Sequence, residues 1–314
     1  MKTKYIALAF AAMMTGLMFT ACQKEDNSPS GNNNGGNGGN GGETPSAVGG
    51  FREDGASNAL FTVAERRQVR FSRGNLQYQA STGTWRFAAN QYECIGEGNH
   101  GASETYDGWI DHFSWGTSGW ESGATTYKPW QLMALPWDGN YPGGSADNDL
   151  TGEYAEADWA WHNAISNGGN QTHKWRTLTG EEWNYLISIR ANADSKVGIG
   201  TVNEVHGLIL LPDAWTTPEG LAFSTEYTGW DDNVYTVEQW KQMEDAGAIF
   251  FPAAGYSTGW SSVSTYKVGE YGDYWASTHY DDDEARMLSF DVTGVSGDWW
   301  ATRRGGRSVR PVTE

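Results

Sequence analysis

Lys174-Trp175-Arg176-Thr177-Leu178-Thr179-Gly180-Glu181-Glu182-Trp183 is the stretch on which the reading of the fold turns. Residues 174–178 read as a short extended link, and Thr179-Gly180-Glu181-Glu182 has the form of a capping box. In such a box the threonine hydroxyl accepts from the third amide of a helix while the glutamate reaches back to the cap. Behind it Trp183, Leu186, Ile187 and Arg190 recur at helical spacing. Upstream, Glu153 to Ser166 places Ala157, Trp161, Ala164 and Ile165 on one face, and Asn167-Gly168-Gly169 ends that run. Downstream, Thr236 and Gln239 form a second box for a helix from Val237 to Ala246, with Val237, Trp240 and Met243 on one face and Gly247 as its stop.

Strand patterns surround these helices. Phe61-Thr62-Val63, Gln68 to Arg73, Leu76 to Gln79 and Trp85-Arg86-Phe87 nearly alternate apolar and polar residues, and a β-meander is the economical expectation. Asn99 to Leu150 reads as loop, with five tryptophans set among Gly, Ser and Asp. It is too long for a plain connection, so it is expected to be ordered by those tryptophans or to be functional. In the last third, Met287 to Val292 and Ser308 to Val312 read as strands, with Tyr280-Asp281-Asp282-Asp283-Glu284 as a hairpin loop.

The segment from Trp175 to Trp183 resembles the RLPT-x-x-EW segment of formylglycine-generating-enzyme-like domains and of the Fibrobacter succinogenes major paralogous domain family. Phe251 to Tyr256, Gly272 to Thr278, Ala285 to Phe290 and Gly306 to Val312 are similar to ordered signatures of the latter. The resemblance covers residues 153–314. It implies an α+β, C-type-lectin-like fold: two main helices packed on a twisted antiparallel sheet, with long loop insertions carrying any ligand site. The formylglycine-generating enzymes rely on a pair of active-site cysteines, and this globular region has only Cys94. The calcium-binding and sugar-binding tripeptides of C-type lectins are absent as well.

The N-terminus has its own logic. Lys2 and Lys4 precede an uncharged run from Tyr5 to Phe19, too short to span a bilayer as a helix. Residues 1–21 therefore read as a signal peptide. Phe19-Thr20-Ala21-Cys22 resembles the lipobox of bacterial lipoproteins, which implies lipid attachment at Cys22. Gln23-Lys24-Glu25-Asp26-Asn27 is similar to the acidic export signal of Bacteroidota lipoproteins displayed outside the outer membrane. Residues 22–50 are a Gly/Asn-rich tether with a reach of roughly 30 Å. The globular region is then 51–314, divided into a β-rich 51–150 and a core at 151–314.

Composition narrows the partners. The chain of 314 residues carries a formal charge of −18, which becomes −20 once Lys2 and Lys4 leave. Nucleic acid is not expected as a partner on that ground. With Cys22 acylated, Cys94 is expected to be an inert, half-buried strand cysteine. The six histidines show no metal-ligand spacing, and the sequence nominates no carboxylate pair for glycan hydrolysis. No cofactor is required on this reading. Calcium is admitted only through Asp231 and Asp232 or Asp281, Asp282 and Asp283, whose plainer reading is solvated turn acids.

Tryptophan remains. All 17 lie between Trp85 and Trp300. Trp161, Trp175, Trp183, Trp240 and Trp275 are expected in the core from their helix-face or motif positions. Trp120, Trp130, Trp137, Trp215, Trp230 and Trp260 sit in polar loops and are the candidate ligand-binding residues, because exposed aromatic faces stack on sugar rings at low entropic cost. The expectation is a non-catalytic, surface-anchored outer-membrane lipoprotein binding glycan or glycoprotein. An adhesive protein that binds a surface or host protein is the alternative, and a glycan hydrolase the third reading.

Overall fold

The computed structural model describes residues 50–101, 103–122, 125–131, 141, 145–258 and 263–314. Both capping boxes form. Thr179 Oγ1 accepts from the Glu182 amide at 3.1 Å and Glu182 Oε2 from the Thr179 amide at 2.9 Å. Thr236 and Gln239 repeat the exchange at 3.3 and 3.0 Å. The helices they start are short. Counting in chain order, α1 is Trp159–His162, α2 is Gly180–Asn184, continued by a π-helical turn Tyr185–Ile189, and α3 is Val237–Asp245.

The run from Glu153 to Ser166 is not one helix. A 3-10 turn, Gly152–Ala157, stops at Asp158, whose extended backbone begins α1, and Asn163 ends α1 after its four residues. The reason is local competition from polar side chains. Asp158 accepts from the amides of Ala160 at 3.0 Å and Thr177 at 2.6 Å, while Asn163 Nδ2 donates back to the Trp159 carbonyl at 3.0 Å. Each side chain takes backbone groups that a continuing helix would have used.

The remainder is strand and loop. In chain order the strands are β1 Phe61–Ala64, β2 Arg67–Phe71, β3 Leu76–Gln79, β4 Thr84–Phe87, β5 Trp109–Ile110, β6 Glu121–Ser122 and β7 Thr125–Thr126. They continue with β8 Val197–Val202, β9 Val205–Leu210, β10 Val234–Tyr235, β11 Ile249–Pro252, β12 Tyr256–Thr258 and β13 Ser264–Tyr266. The last are β14 Gly272–His279, β15 Glu284–Asp291, β16 Gly294–Thr302 and β17 Val312–Thr313. They form several small sheets: β1-β2-β17, β4-β3-β5, β10-β8-β9-β11, β14-β15-β16, and the pairs β12-β13 and β6-β7.

This corrects the expected C-type-lectin-like architecture. The protein is mostly β, with 34% strand and 15% helix, and two main helices packed on one twisted sheet are not seen. The physical reason is the shortness of the helices and the division of the strands. β2 and β3 belong to different sheets, so the N-terminal strands are two hairpins and not one meander.

Three apolar clusters hold the sheets together. One gathers Phe61, Phe71, Trp183, Phe251 and Tyr274; a second Trp85, Phe113, Trp115, Trp159, Trp175 and Trp275; a third Trp240, Met243 and Phe250. The first two each draw residues from both sides of position 150. Backbone bonds do the same: β17 pairs with β2 through Val312 and Phe71, and the Phe113 amide donates to the Arg307 carbonyl at 2.9 Å. Trp175, Trp183, Trp240 and Trp275 are buried as expected, whereas Trp161 is only half-buried.

Candidate functional site

Trp299 and Trp300 are the two exposed tryptophans among the described residues, at 50% and 39%. They lie on β16, the edge strand of the β14-β15-β16 sheet. Strict alternation would point one of two successive strand residues inward. Both indoles are exposed all the same: the register is regular across the pairs Met287↔Trp299 and Arg286↔Trp300, and the one-residue bulge of β16 lies just before them, between Ser296 and Trp299. The two indoles stack on each other at 5.3 Å, and Trp300 stacks on Tyr280 at 4.8 Å with 11° between the rings. Tyr280 is itself 41% exposed and belongs to the loop between β14 and β15.

Three supports fix this ladder. At Gly297, β16 lies so close to α2 that a Cβ would come within 2.7 Å of the Trp183 and Asn184 backbone, so only glycine fits. Arg303, fully buried, donates to the carbonyls of Asp281 at 2.5 Å and Glu284 at 3.2 Å, pinning the loop that carries Tyr280. Arg286 packs on Gly180, holds its guanidinium 5.0 Å from the Tyr280 ring centre, and is ion-paired to Asp298.

Carboxylates rim the ladder. Asp281 Oδ1 accepts from the amides of Asp283 and Glu284 at 2.9 and 2.8 Å, and Asp283 pairs with Arg304 at 3.2 Å. Partial burial, with the charges of Asp281 and Asp283 behind it, pushes the Glu284 carboxyl above its usual range. On the other side, His279 Nδ1 lies 2.7 Å from Asp149, whose neighbour Leu150 lines a cavity of about 260 Å³ together with Thr151, Ala155 and Trp161. Asp158 and Arg176, which also face that cavity, already have partners: Thr177 for the first, Glu182 and Glu314 for the second.

The loop tryptophans proposed from sequence do not converge. Trp120 is half-buried and edge-on to Tyr154, and Trp130 stacks on Tyr78 at 6.3 Å. Trp215 packs on the third cluster and donates to Thr217 Oγ1 at 3.1 Å. Trp230 stacks on His206 at 5.0 Å and 8°. These four fill gaps beneath different loops. Trp137 and Trp260 lie outside the described residues.

The acidic candidates act as turn formers. Asp232 accepts from the Thr228 amide at 2.7 Å, from its hydroxyl, and from the Gly229 amide at 3.3 Å, while Asp231 is exposed beside it. Asp282 is exposed at the loop tip. Among the described residues no group of three or more His, Cys, Asp or Glu is placed to hold a metal.

Burial disposes of two nucleophile geometries. Gly255-Tyr256-Ser257-Thr258-Gly259 has the Gly-x-Ser-x-Gly spacing, and Ser257 Oγ lies 2.8 Å from His112 Nδ1. Yet Ser257 is 1% exposed and sits at the centre of strand β12, whereas the serine of a nucleophile elbow sits on an exposed strand-to-helix turn. His112 is fully buried, and burial first, then Arg307, hold its imidazole down at about 3. The pair is sealed in the structure as a polar tie between β12 and the 111–118 loop. Cys94 is 2% exposed and lies outside any strand, which corrects the half-buried strand cysteine expected from sequence.

Sequence reasoning missed Tyr280, Trp299 and Trp300. The available signal was the adjacency Asp298-Trp299-Trp300: two indoles in succession on a strand cannot both face one core.

Residues 229–312 match the family described as Domain of unknown function (DUF8237), a span that includes α3 and the whole ladder. No curated protein matches the chain. No solved structure matches it. No enzymatic family is identified.

Proposed function

We propose that this protein is a surface-anchored, non-catalytic binding lipoprotein that recognises glycan through the Tyr280-Trp300-Trp299 ladder. The observation that carries this reading is the exposure of three aromatic rings stacked in series, Trp299 and Trp300 on an edge strand held against α2 at Gly297 and Tyr280 on the adjoining hairpin loop. Apolar ring faces held open to solvent are unfavourable for stability alone and are the feature a sugar's C–H face complements. Covering ~100 Å² of indole contributes roughly 2–3 kcal/mol. That falls short of the ~4 kcal/mol of a millimolar complex, so polar contacts at the rim from Arg286 and Asp298 must add to it. A tethered receptor at a cell surface further gains from many copies engaging one polymer.

Anchoring rests on the leader, Cys22 and the tether at 22–50, which lie outside the described residues apart from Gly50. Lipid at Cys22 and display at the outer membrane belong to the same proposal. The reading requires no calcium, and Asp232, Asp281 and Asp283 have backbone or side-chain partners of their own.

A glycan-array screen of the purified protein, with and without calcium, tests the reading. Sugar binding that Trp299→Ala abolishes supports it; no sugar binding, with specific retention of one host or bacterial protein, overturns it in favour of an adhesive role. The observation that favours that second reading is β16 itself, a nine-residue edge strand able to accept a further strand.

A further inference from the structure

Granting the aromatic ladder as the glycan site, we infer that it selects neutral glycans and rejects those bearing carboxylate or sulfate. The charges around the rings point this way. Asp281, Asp282, Asp283 and Glu284 follow Tyr280 directly, and Asp298 precedes Trp299. The cations near them are committed. Arg286 is paired to Asp298 and lies over Tyr280; Arg304 is paired to Asp283; Arg303 is fully buried and spends its guanidinium on the carbonyls of Ser145, Ala146 and Asp281. No unpaired guanidinium or ammonium among these groups is left to receive an anion. Five carboxylates against three cations leave the rim negative, and the whole chain is acidic besides.

A uronate or sulfate group stacked on Trp299 would therefore approach Asp298 and the 281–284 loop within about one Debye length, ~8 Å at physiological ionic strength. Like charges brought together at an interface weigh heavily against a partner and so give specificity without any added attraction. A neutral sugar meets the same rings without that repulsion. Its hydroxyls accept from Arg286 or donate to Asp298, which serve as a neutral pair.

Affinity electrophoresis of the purified full-length protein, run against polymers of matched backbone, tests this. The probes are hydroxyethylcellulose against carboxymethylcellulose, and methyl-esterified homogalacturonan against polygalacturonate, each at low and high sodium chloride. The expected result is retention by at least one neutral polymer, with its anionic counterpart held ~10-fold or more weakly at low salt. That gap narrows as salt rises, and Asp282→Asn narrows it at low salt while retention by the neutral polymer persists. Trp299→Ala abolishes retention in every case. Equal retention of anionic and neutral polymers, still abolished by Trp299→Ala, overturns the charge selectivity and leaves the site standing. Retention by none of the polymers, or retention indifferent to Trp299→Ala, overturns the site itself and the selectivity with it.

Discussion

Trp300 lies flat against Tyr280, ring centres 4.8 Å apart and planes within 11°, although one residue ends a long edge strand and the other begins a hairpin loop. The contact joins the turn of the β14-β15 hairpin to the open end of the β15-β16 hairpin. It holds two large aromatic groups partly in water instead of in any of the three cores.

Trp299→Ala should weaken ligand binding strongly and leave stability nearly unchanged, because a half-exposed side chain on an edge strand contributes little to folding, within about ±0.5 kcal/mol. Trp300→Ala should cost somewhat more, ~0.5–1.5 kcal/mol, since it also removes the Tyr280 stack. Thermal melts beside fluorescence titrations separate the two effects. A large stability loss in Trp299→Ala would show that the indole is structural.

Gly297→Ala is expected to destabilise by ~1–3 kcal/mol, the range for forcing a methyl into a packed site. The added Cβ would meet the backbone of Trp183 and Asn184 at 2.7 Å, and backbone cannot swing aside as a side chain can. Because the shift pushes β16 off α2, binding should fall with it even though no ring is removed. Wild-type affinity in a folded Gly297→Ala protein would refute the claim that α2 positions the ladder.

Glu182 is 2% exposed and receives both Arg176 Nη1 at 2.7 Å and Arg67 Nη2 at 2.5 Å, besides closing the capping box. Removing one partner of a buried ion pair costs ~3–5 kcal/mol, and losing a threonine cap ~1 kcal/mol. Glu182→Ala should therefore lower the urea midpoint several times further than Thr179→Ala. Equal shifts would mean that the cap, and not the ion pair, is what Glu182 supplies.

Asp111 and His112 set opposing pH dependences. Burial raises Asp111 to about 6 against the hydrogen bonds of Asn99 and Ile95, so its folded form favours the proton; that contribution is full in acid and is lost as pH rises through 6. His112 is held at about 3, so its contribution is full above the ordinary histidine value and is lost as pH falls from there toward 3. The histidine displacement is the larger, and acidification from pH 6.5 to 4.5 should cost on the order of 2 kcal/mol through it. The loss should be smaller in His112→Gln and larger in Asp111→Asn than in the wild type. Urea midpoints across this range decide, and three parallel curves would sink the assignment.

Cys22→Ala should abolish incorporation of labelled palmitate and release the protein from the membrane fraction. Changing residues 23–26 to alanine should keep the lipid and reduce accessibility to external protease. A disulfide joining Cys22 to Cys94 in the purified mature protein would overturn the anchor, because an acylated thioether cannot form one.

The sequence by itself determined the features that are local. The boxes at Thr179 and Thr236 are decided within four residues, so their hydrogen bonds appear where the pattern places them. Core positions read from those helices, Trp183, Trp240 and Met243, are buried for the same reason. Where a side chain could satisfy the backbone in another way the pattern misled: Asp158 and Asn163 end a helix that apolar spacing alone would have carried to Ser166.

Tertiary structure decided the rest. The partition of strands into small sheets depends on pairings such as β2 with β17, between residues more than two hundred positions apart, which no local alternation encodes. Exposure of tryptophan is equally non-local. Trp130 and Trp230 sit in polar loops yet stack on Tyr78 and His206, while Trp299 and Trp300 sit in an edge strand yet remain exposed to water. Burial is a property of what packs against a residue, and that partner is chosen by the fold as a whole.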